Sequence, residues 1–426
     1  MGFYDFRWVM SLFGTAVGAG ILFLPIKTGV SGIYPVFFMM IIALPMVYFS
    51  HWGLCRYCFG HKGDISDVSR EYYGAKVGFF ITALYFFAFL PACVMYGVGI
   101  TNTIISFAQN QLGIMDISRA LVVFALISFL MLVMVLKEDL VIRVCEALVY
   151  PLCVILLVFS LYLIQFWDFG VFSVEFSWSD FLLTCFFALP ILAFAFEHTP
   201  AVSTFASSMR RRYGEDKGIE KAKKVLFLNS ILLLFFIMFF VFSSLMCLGS
   251  DDLAKAKELN ISVVSYFAIK LNNDFIGYSA PVIAFLAIAT SFFGHYFGAR
   301  EGFCGLVDKG CELAGKPAPK PKTLSRFCDL LFYVLMLVCS YLNPSIIGII
   351  DNLTGPIIAG ILFLLPVIGF YSVPSLKKYR NIWADAFIFI FGAVTICTVG
   401  FNVIKDFSYG ILEFFLGNSR IPASKI

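Results

Sequence analysis

The sequence predicts an all-α polytopic membrane protein of about eleven transmembrane helices, arranged as two inverted five-helix repeats plus one extra helix. Three observations carry this. Apolar runs of roughly 20 residues, each long enough to cross a hydrocarbon core of about 30 Å, recur from end to end. The linkers between them alternate between basic and basic-poor. Two of the runs, the first and the sixth, are interrupted at matching places by glycine or proline. Of the 426 residues, 60% are hydrophobic and 14% charged, and the mean hydropathy is +0.91. A soluble domain carries about 25% charged residues. No soluble domain remains once the runs are removed, and a net charge of +4 gives no argument for a nucleic-acid partner.

In chain order the expected spans are Arg7–Thr28, Tyr34–Arg56, Val77–Gln109, Ala120–Leu136, Val144–Phe166 and Phe181–Phe205, then Val225–Gly249, Tyr278–Gly302, Phe327–Tyr341, Leu353–Tyr371 and Ala384–Ile404. The first run is too long and too interrupted for a cleaved signal peptide, and it lacks a basic start followed by a small-residue cleavage site. It is therefore read as a retained span. Most of the twelve cysteines lie inside apolar runs (among them Cys93, Cys153, Cys185, Cys339 and Cys397), where they behave as small hydrophobes. Cys55 and Cys58 form a C-x-x-C, but no second pair completes a zinc site, so no metal or other cofactor is expected.

The linkers set orientation. Arg210, Arg211 and Arg212 with Lys217, Lys221, Lys223 and Lys224 form one basic linker. Lys309, Lys316, Lys320, Lys322 and Arg326 form a second, and Lys377, Lys378 and Arg380 a third. The stretches 29–33, 167–180 and 342–352 are basic-poor. With the N-terminus in the cytoplasm, about 23 of the 31 Lys and Arg residues fall inside. An odd number of spans then puts the C-terminus outside. Organisation follows as 1–166, the first repeat; 167–224, the sixth helix and the basic cytoplasmic loop; 225–372, the rest of the second repeat; and 373–426, the eleventh helix and C-terminus.

The stretch Gly14-Thr-Ala-Val-Gly-Ala-Gly20 lies in the middle of span one, with Pro25 just beyond. Lipid offers backbone groups no hydrogen-bond partners, so a breakable helix at that depth survives only where protein or a water-filled cavity surrounds it. Span six is interrupted at Phe196-Glu-His-Thr-Pro200. Spans five and ten both place an acid five residues before a proline, at Glu146 and Pro151 and at Asp351 and Pro356. The long polar linkers, 60–76 and 250–277, fall on opposite sides of the membrane, which makes the halves upside down relative to each other. Paired interrupted segments in inverted halves point to a transporter's binding site.

The chain resembles the hydroxy and aromatic amino acid permease family, and within it the bacterial serine and threonine proton symporters. The stretches that carry the likeness are Phe13-Gly-Thr-Ala-Val-Gly-Ala-Gly-Ile-Leu-Phe-Leu-Pro25, Tyr85-Phe-Phe-Ala-Phe-Leu-Pro91 and Tyr96-Gly-Val-Gly-Ile-Thr-Asn-Thr103. Ser291-Phe-Phe-Gly-His-Tyr-Phe-Gly298 and Leu353-Thr-Gly-Pro-Ile-Ile-Ala359 extend it along nearly the whole chain. The resemblance implies the leucine-transporter-type fold of the amino acid-polyamine-organocation carriers and proton-driven uptake across a bacterial inner membrane. One departure stands out: where the family's sixth span tends to carry Asn before His or Phe, this chain has Glu197.

A serine-like zwitterion needs donors for its carboxylate and acceptors for its ammonium. The broken first helix offers backbone N–H groups around Ala16, Gly18, Ala19 and Gly20, with a favourable half-helix dipole. Carbonyls near Ala195 and Phe196, with the Thr15 hydroxyl, suit the ammonium. Tyr96 is expected as a lid, Phe196 as an apolar gate and Ser291 as a wall. Coupling needs a group that changes charge, and intramembrane ionisable residues are rare and costly. Glu197, His198 and His295 are the candidates. The alternative reading of Glu197 is an ion-paired structural acid with Lys27 as its partner, and Lys27 is itself expected to snorkel to the outer interface.

Two rival readings remain at this level: a sodium-coupled carrier, and an aromatic amino acid permease. A channel is the alternative from another class, but no filter motif is present. Enzyme motifs such as H-E-x-x-H and G-x-S-x-G are absent, so no enzyme is expected. The expected partners are a small amino acid and the lipid bilayer.

Overall fold

The computed structural model describes residues 2–59, 63–136, 138–173, 176–271 and 273–416, and among these there is no strand. The helices are α1 (Phe3–Ala16), α2 (Ala19–Thr28), α3 (Tyr34–Phe59), α4 (Ile65–Asn110), α5 (Arg119–Met134) and α6 (Glu138–Tyr162). Then come α7 (Trp178–Phe187), α8 (Leu189–Ala195), α9 (Thr199–Tyr213), α10 (Glu215–Leu245), α11 (Ser250–Glu258) and α12 (Val263–Lys270). The chain continues through α13 (Asp274–Leu313), α14 (Pro321–Leu342), α15 (Ile346–Ser372) and α16 (Ile382–Leu416). Eight of these are long and apolar enough to cross a membrane; α1 with α2, bent by 54°, and α7 with α8, bent by 47°, add up to two more. The helix α5 is shorter, at 16 residues.

Two elements differ from the sequence reading. The third span starts within the expected linker, at Ile65, because the Asp64 side chain caps the helix by accepting from the Asp67 N–H at 2.7 Å. Gly74 then turns the chain at φ +82°, a left-handed conformation open to glycine, before the helix continues. The tenth span starts at Ile346 and carries two π-helical stretches, Ile350–Thr354 and Gly360–Leu364. The polar segment after α10 folds as the short helices α11 and α12, as its amphipathic pattern allows. The side of the membrane assigned to the C-terminus concerns residues 417–426, which lie outside the described residues.

The longest helices, α4 and α13, make the most extensive helix–helix contact. Against them sit α1 and α2, α8 and α9, the interrupted segments; α2 and α8 are almost fully buried, as are the ends of α1 and α9 next to the breaks. The N-terminus and the basic linkers gather at one end. Asp5 accepts from Tyr213 Oη at 2.7 Å and pairs with Lys221 at 3.2 Å, and Lys378 pairs with Glu215 at 2.5 Å. The last helix is anchored by a buried ion pair between Arg56 and Asp385 at 2.9 Å, with the guanidinium between the Trp52 and Phe370 rings. Breaking one partner of such a pair leaves an uncompensated buried charge, at a cost of about 3–5 kcal/mol.

Candidate functional site

The first break is made by backbone. Helix α1 stops at Ala16; Val17 and Gly18 are extended (φ −76°, ψ 95° and φ −145°, ψ −150°), and α2 restarts at Ala19. The opening N–H groups of a helix have no intrahelical partner, and Gly18 has no side chain with which to cap them. The break therefore presents donors and a positive dipole end to the protein's centre. On the other side of the break, the Thr15 carbonyl accepts from Ser291 Oγ at 2.9 Å. The Thr15 hydroxyl is turned away, onto the Ser11 carbonyl at 3.0 Å.

The glycines here are used for approach. A Cβ on Gly18 would sit 2.1 Å from Ser291 Oγ, and one on Gly20 would sit 2.7 Å from the Ala195 Cα. The two broken helices thus touch backbone to backbone. Tyr96 covers the spot, its ring 5.2 Å from that of His295 and 6.4 Å from that of Phe194. Thr15, Ala16, Gly18, Ala19, Gly20, Tyr96, Ala195, Phe196 and Ser291 are brought together and buried.

The second break is filled by side chains. Helix α8 ends at Ala195, and α9 restarts at Thr199 with Pro200 in its first turn. Glu197 accepts the Thr199 N–H on Oε1 at 2.6 Å, so its carboxyl caps α9. Its Oε2 lies 2.8 Å from His295 Nε2, and His295 Nδ1 lies 2.8 Å from the Ser291 carbonyl. A carbonyl only accepts, so Nδ1 carries a hydrogen. The contact between Nε2 and Oε2 then needs a proton of its own, either on the ring or on the carboxyl. The Phe196 carbonyl accepts from His198 Nδ1 at 3.1 Å, and His198 Nε2 faces Asn229 Nδ2 at 3.2 Å.

Two expectations about charge are corrected. Lys27 does not snorkel: its Nζ lies 2.6 Å from Asp351 Oδ2, with the lysine side chain 18% and the aspartate 9% exposed. Nor does Lys27 reach Glu197, whose partner is His295. The physical reason is reach. Lys27 lies about two turns beyond the break, level with the start of α15, where the Asp351 carboxylate is within its reach. Sequence reasoning also missed His51, which stacks face to face on His198, and Asn229. The signal was available, since both are polar groups inside apolar runs.

A cavity of about 440 Å³ opens from the end that holds the N-terminus. It runs between α1, α6, α9 and α13, past Glu146 and Thr204, to Thr15 and Gly294. Arg7 and Glu146 pair at its wall at 2.8 Å. At the opposite end a separate cavity of about 420 Å³, lined by Gly29, Tyr34, Asp180 and Leu248 among others, includes no residue of either break. The Lys27–Asp351 pair lies there, and α11 brings Lys257 near both. Burial pushes the Lys257 ammonium below its ordinary value, the Lys27 charge adds to this, and Asp351 opposes it. Beside the pair, Asn102 donates to the Asn260 carbonyl at 2.8 Å and to Asn343 Oδ1 at 2.9 Å. Arg119 donates to Asn102 Oδ1 at 2.8 Å and to the Ser340 carbonyl at 2.6 Å. Asn260 and Asn343 are the two non-glycine residues with positive φ among the described residues (52° and 55°). Among those residues no group of three or more ligands suited to a metal occurs.

Residues 6–309 match the tryptophan/tyrosine permease family. The chain belongs to this family. The permease is 39% identical over 410 residues to the serine transporter SdaC of Escherichia coli K12, covering 94% of this chain and 95% of that one. It is 36% identical over 423 residues to the threonine/serine transporter TdcC of Edwardsiella tarda, covering 94% and 96%. Among solved structures, it resembles a manganese transporter of Eremococcus coleocola with a TM-score of 0.64 at 13% identity, over 99% of this chain and 88% of that one. A Na+-coupled sialic acid symporter matches at 0.54 and 14% identity, over 92% and 88%. These two share the permease's all-helical transporter fold, and the family relatives are transporters, not enzymes.

Proposed function

We propose that this permease imports serine, with threonine as a second substrate, together with protons, by alternating access across a bacterial inner membrane. In this reading eleven spans form two inverted five-helix repeats plus one helix, and the N-terminal end is cytoplasmic. The observation that carries the reading is the Glu197–His295 contact, 2.8 Å long and fully buried, at the edge of two broken helices.

The substrate carboxylate docks on the N–H groups of Gly18, Ala19 and Gly20, where the helix end favours an anion. The ammonium takes carbonyls at the ends of α1 and α8, near Thr15 and Ala195. Ser291 Oγ now fills the space beside Gly18, so substrate entry displaces that hydroxyl from the Thr15 carbonyl. Tyr96 and the Phe196 side chain close over the ligand.

The proton acts through the same helices. With one proton between them, Glu197 and His295 are net neutral and hold α9 to α13. Without it, a carboxylate faces a ring lone pair across the same gap, and the contact becomes repulsive. Loading and release of the proton therefore bias how the α8–α9 segment sits on α13. The open cavity and the Lys27–Asp351 end, whose cavity includes no residue of either break, correspond to the inward-facing state, with Lys27 and Asp351 as the outer gate and His198 as a second site for a proton.

Uptake in proteoliposomes tests this. An imposed proton gradient drives the parent protein to concentrate serine, with no requirement for sodium. E197Q lowers that concentrative uptake at least about ten-fold, since its amide cannot carry the proton between the two states. Full accumulation by E197Q, or accumulation that follows sodium and ignores pH, contradicts the proposal.

A further inference from the structure

His51 lies in the middle of α3, fully buried, and its ring lies flat on that of His198: the centroids are 3.5 Å apart and the planes differ by 3°. Its hydrogen bonds fix which nitrogen does what. Nδ1 lies 2.8 Å from the Val47 carbonyl and 3.2 Å from Ser50 Oγ, which itself donates to Val47. The carbonyl requires a hydrogen on Nδ1. Nε2, at 3.2 Å, accepts the backbone N–H of His198. That N–H belongs to the second break, where the helix has released it, and a buried N–H without an acceptor is costly.

We propose that His51 is a positioning residue for the coupling site: it holds the second break open by accepting the His198 N–H and by fixing the His198 ring. The ring it supports donates through Nδ1 to the Phe196 carbonyl and meets Asn229 of α10 through Nε2. Glu197 stands between these two anchored neighbours, so its reach to His295 depends on them. His51 must be neutral for this task, because protonated Nε2 cannot accept. Glu197 is the charged group that acts on it, and His198 is the titratable ring against it. Two positive rings at this separation repel, so His51 and His198 together hold one charge at most. The proposal rests on the transport reading above, deepening it from the coupling pair to the residue that aims it.

The test compares H51F, which keeps a flat ring and loses the acceptor, with H51Q, which loses the ring and keeps an acceptor within reach. Substrate binding is read on purified protein as serine-dependent thermal stabilisation, which needs no gradient; uptake is read against pH in proteoliposomes. Melting without substrate and size-exclusion profiles report folding. The expected result is a loss of at least about ten-fold in serine affinity and uptake in H51F, recovery to within about three-fold in H51Q, and an altered pH profile in both. If H51F does not fold, H51Q decides by the same criterion. Two folded variants that both match the parent overturn the proposal, and so do two that are equally impaired. Coupling by Glu197 is judged separately: E197Q that still concentrates serine refutes the transport mechanism, whereas the contrast between H51F and H51Q in gradient-free binding stands or falls independently.

Discussion

The two helix breaks solve the same problem in opposite ways. At the first, Val17 and Gly18 leave backbone N–H groups bare, and neighbours press in only as far as a missing Cβ permits. At the second, Glu197 caps the restarted helix, His51 takes the freed N–H, and His198 and His295 occupy the surroundings. In the proposed mechanism the first break is a surface kept free for a ligand's anion, and the second is packed with groups that carry or place a proton. The contrast teaches that unwinding a buried helix is tolerated by either route, and that the choice of filling marks the task of each site.

The largest effect is expected from erasing the first break. G18V places carbon where Ser291 Oγ lies, and such overpacking costs about 1–3 kcal/mol while filling the carboxylate site. Serine uptake should fall to background in proteoliposomes, and G18A combined with S291G, which removes both the Oγ and the Cβ that a side chain at 18 would meet, should recover part of it. Recovery would show that space, not backbone freedom alone, is what Gly18 supplies.

Next comes the Lys27–Asp351 pair, the outer gate of the proposed mechanism, where charge rather than backbone holds the elements together. K27M strands Asp351 in a buried position, a change that costs about 3–5 kcal/mol where a pair is fully buried. It should open the Lys27–Asp351 end, read as faster labelling of a cysteine placed at position 346. The double variant K27M/D351N should label like the parent, because both charges are gone.

A smaller effect belongs to the α11–α12 segment. Burial pushes the Asp252 carboxyl up, but hydrogen bonds from Lys270, Tyr266 and the Gly249 N–H outweigh it and leave it below its ordinary range. A depressed carboxyl stabilises the folded segment above its unfolded value and loses that contribution as pH falls through the folded one. Hydrogen exchange over residues 250–270 should therefore quicken at strongly acidic pH and stay slow at neutral pH, with D252N quick at both.

Much of this was legible in the chain. The positions of the breaks follow from glycine and proline at membrane depth, and the candidate ionisable groups follow from their cost there. The partners were not legible. Lys27 and Asp351 are 324 residues apart, and one sequence carries no distance between them, so sequence alone points Lys27 to the interface or to Glu197. His51 looked like any polar residue in an apolar helix until the fold stacked it on His198. The early start of α4 escaped because hydropathy sees only its apolar part, while Asp64 and Gly74 shape the amphipathic turns before it.

The most direct measurement of the central claim is proton movement itself. Proteoliposomes are given serine with no imposed gradient, and pH is followed with an external dye. The account predicts serine-driven alkalinisation outside by the parent protein and none by E197Q. Serine entry by the parent without any pH change, or an equal pH change by E197Q, would contradict a proton carried between Glu197 and His295.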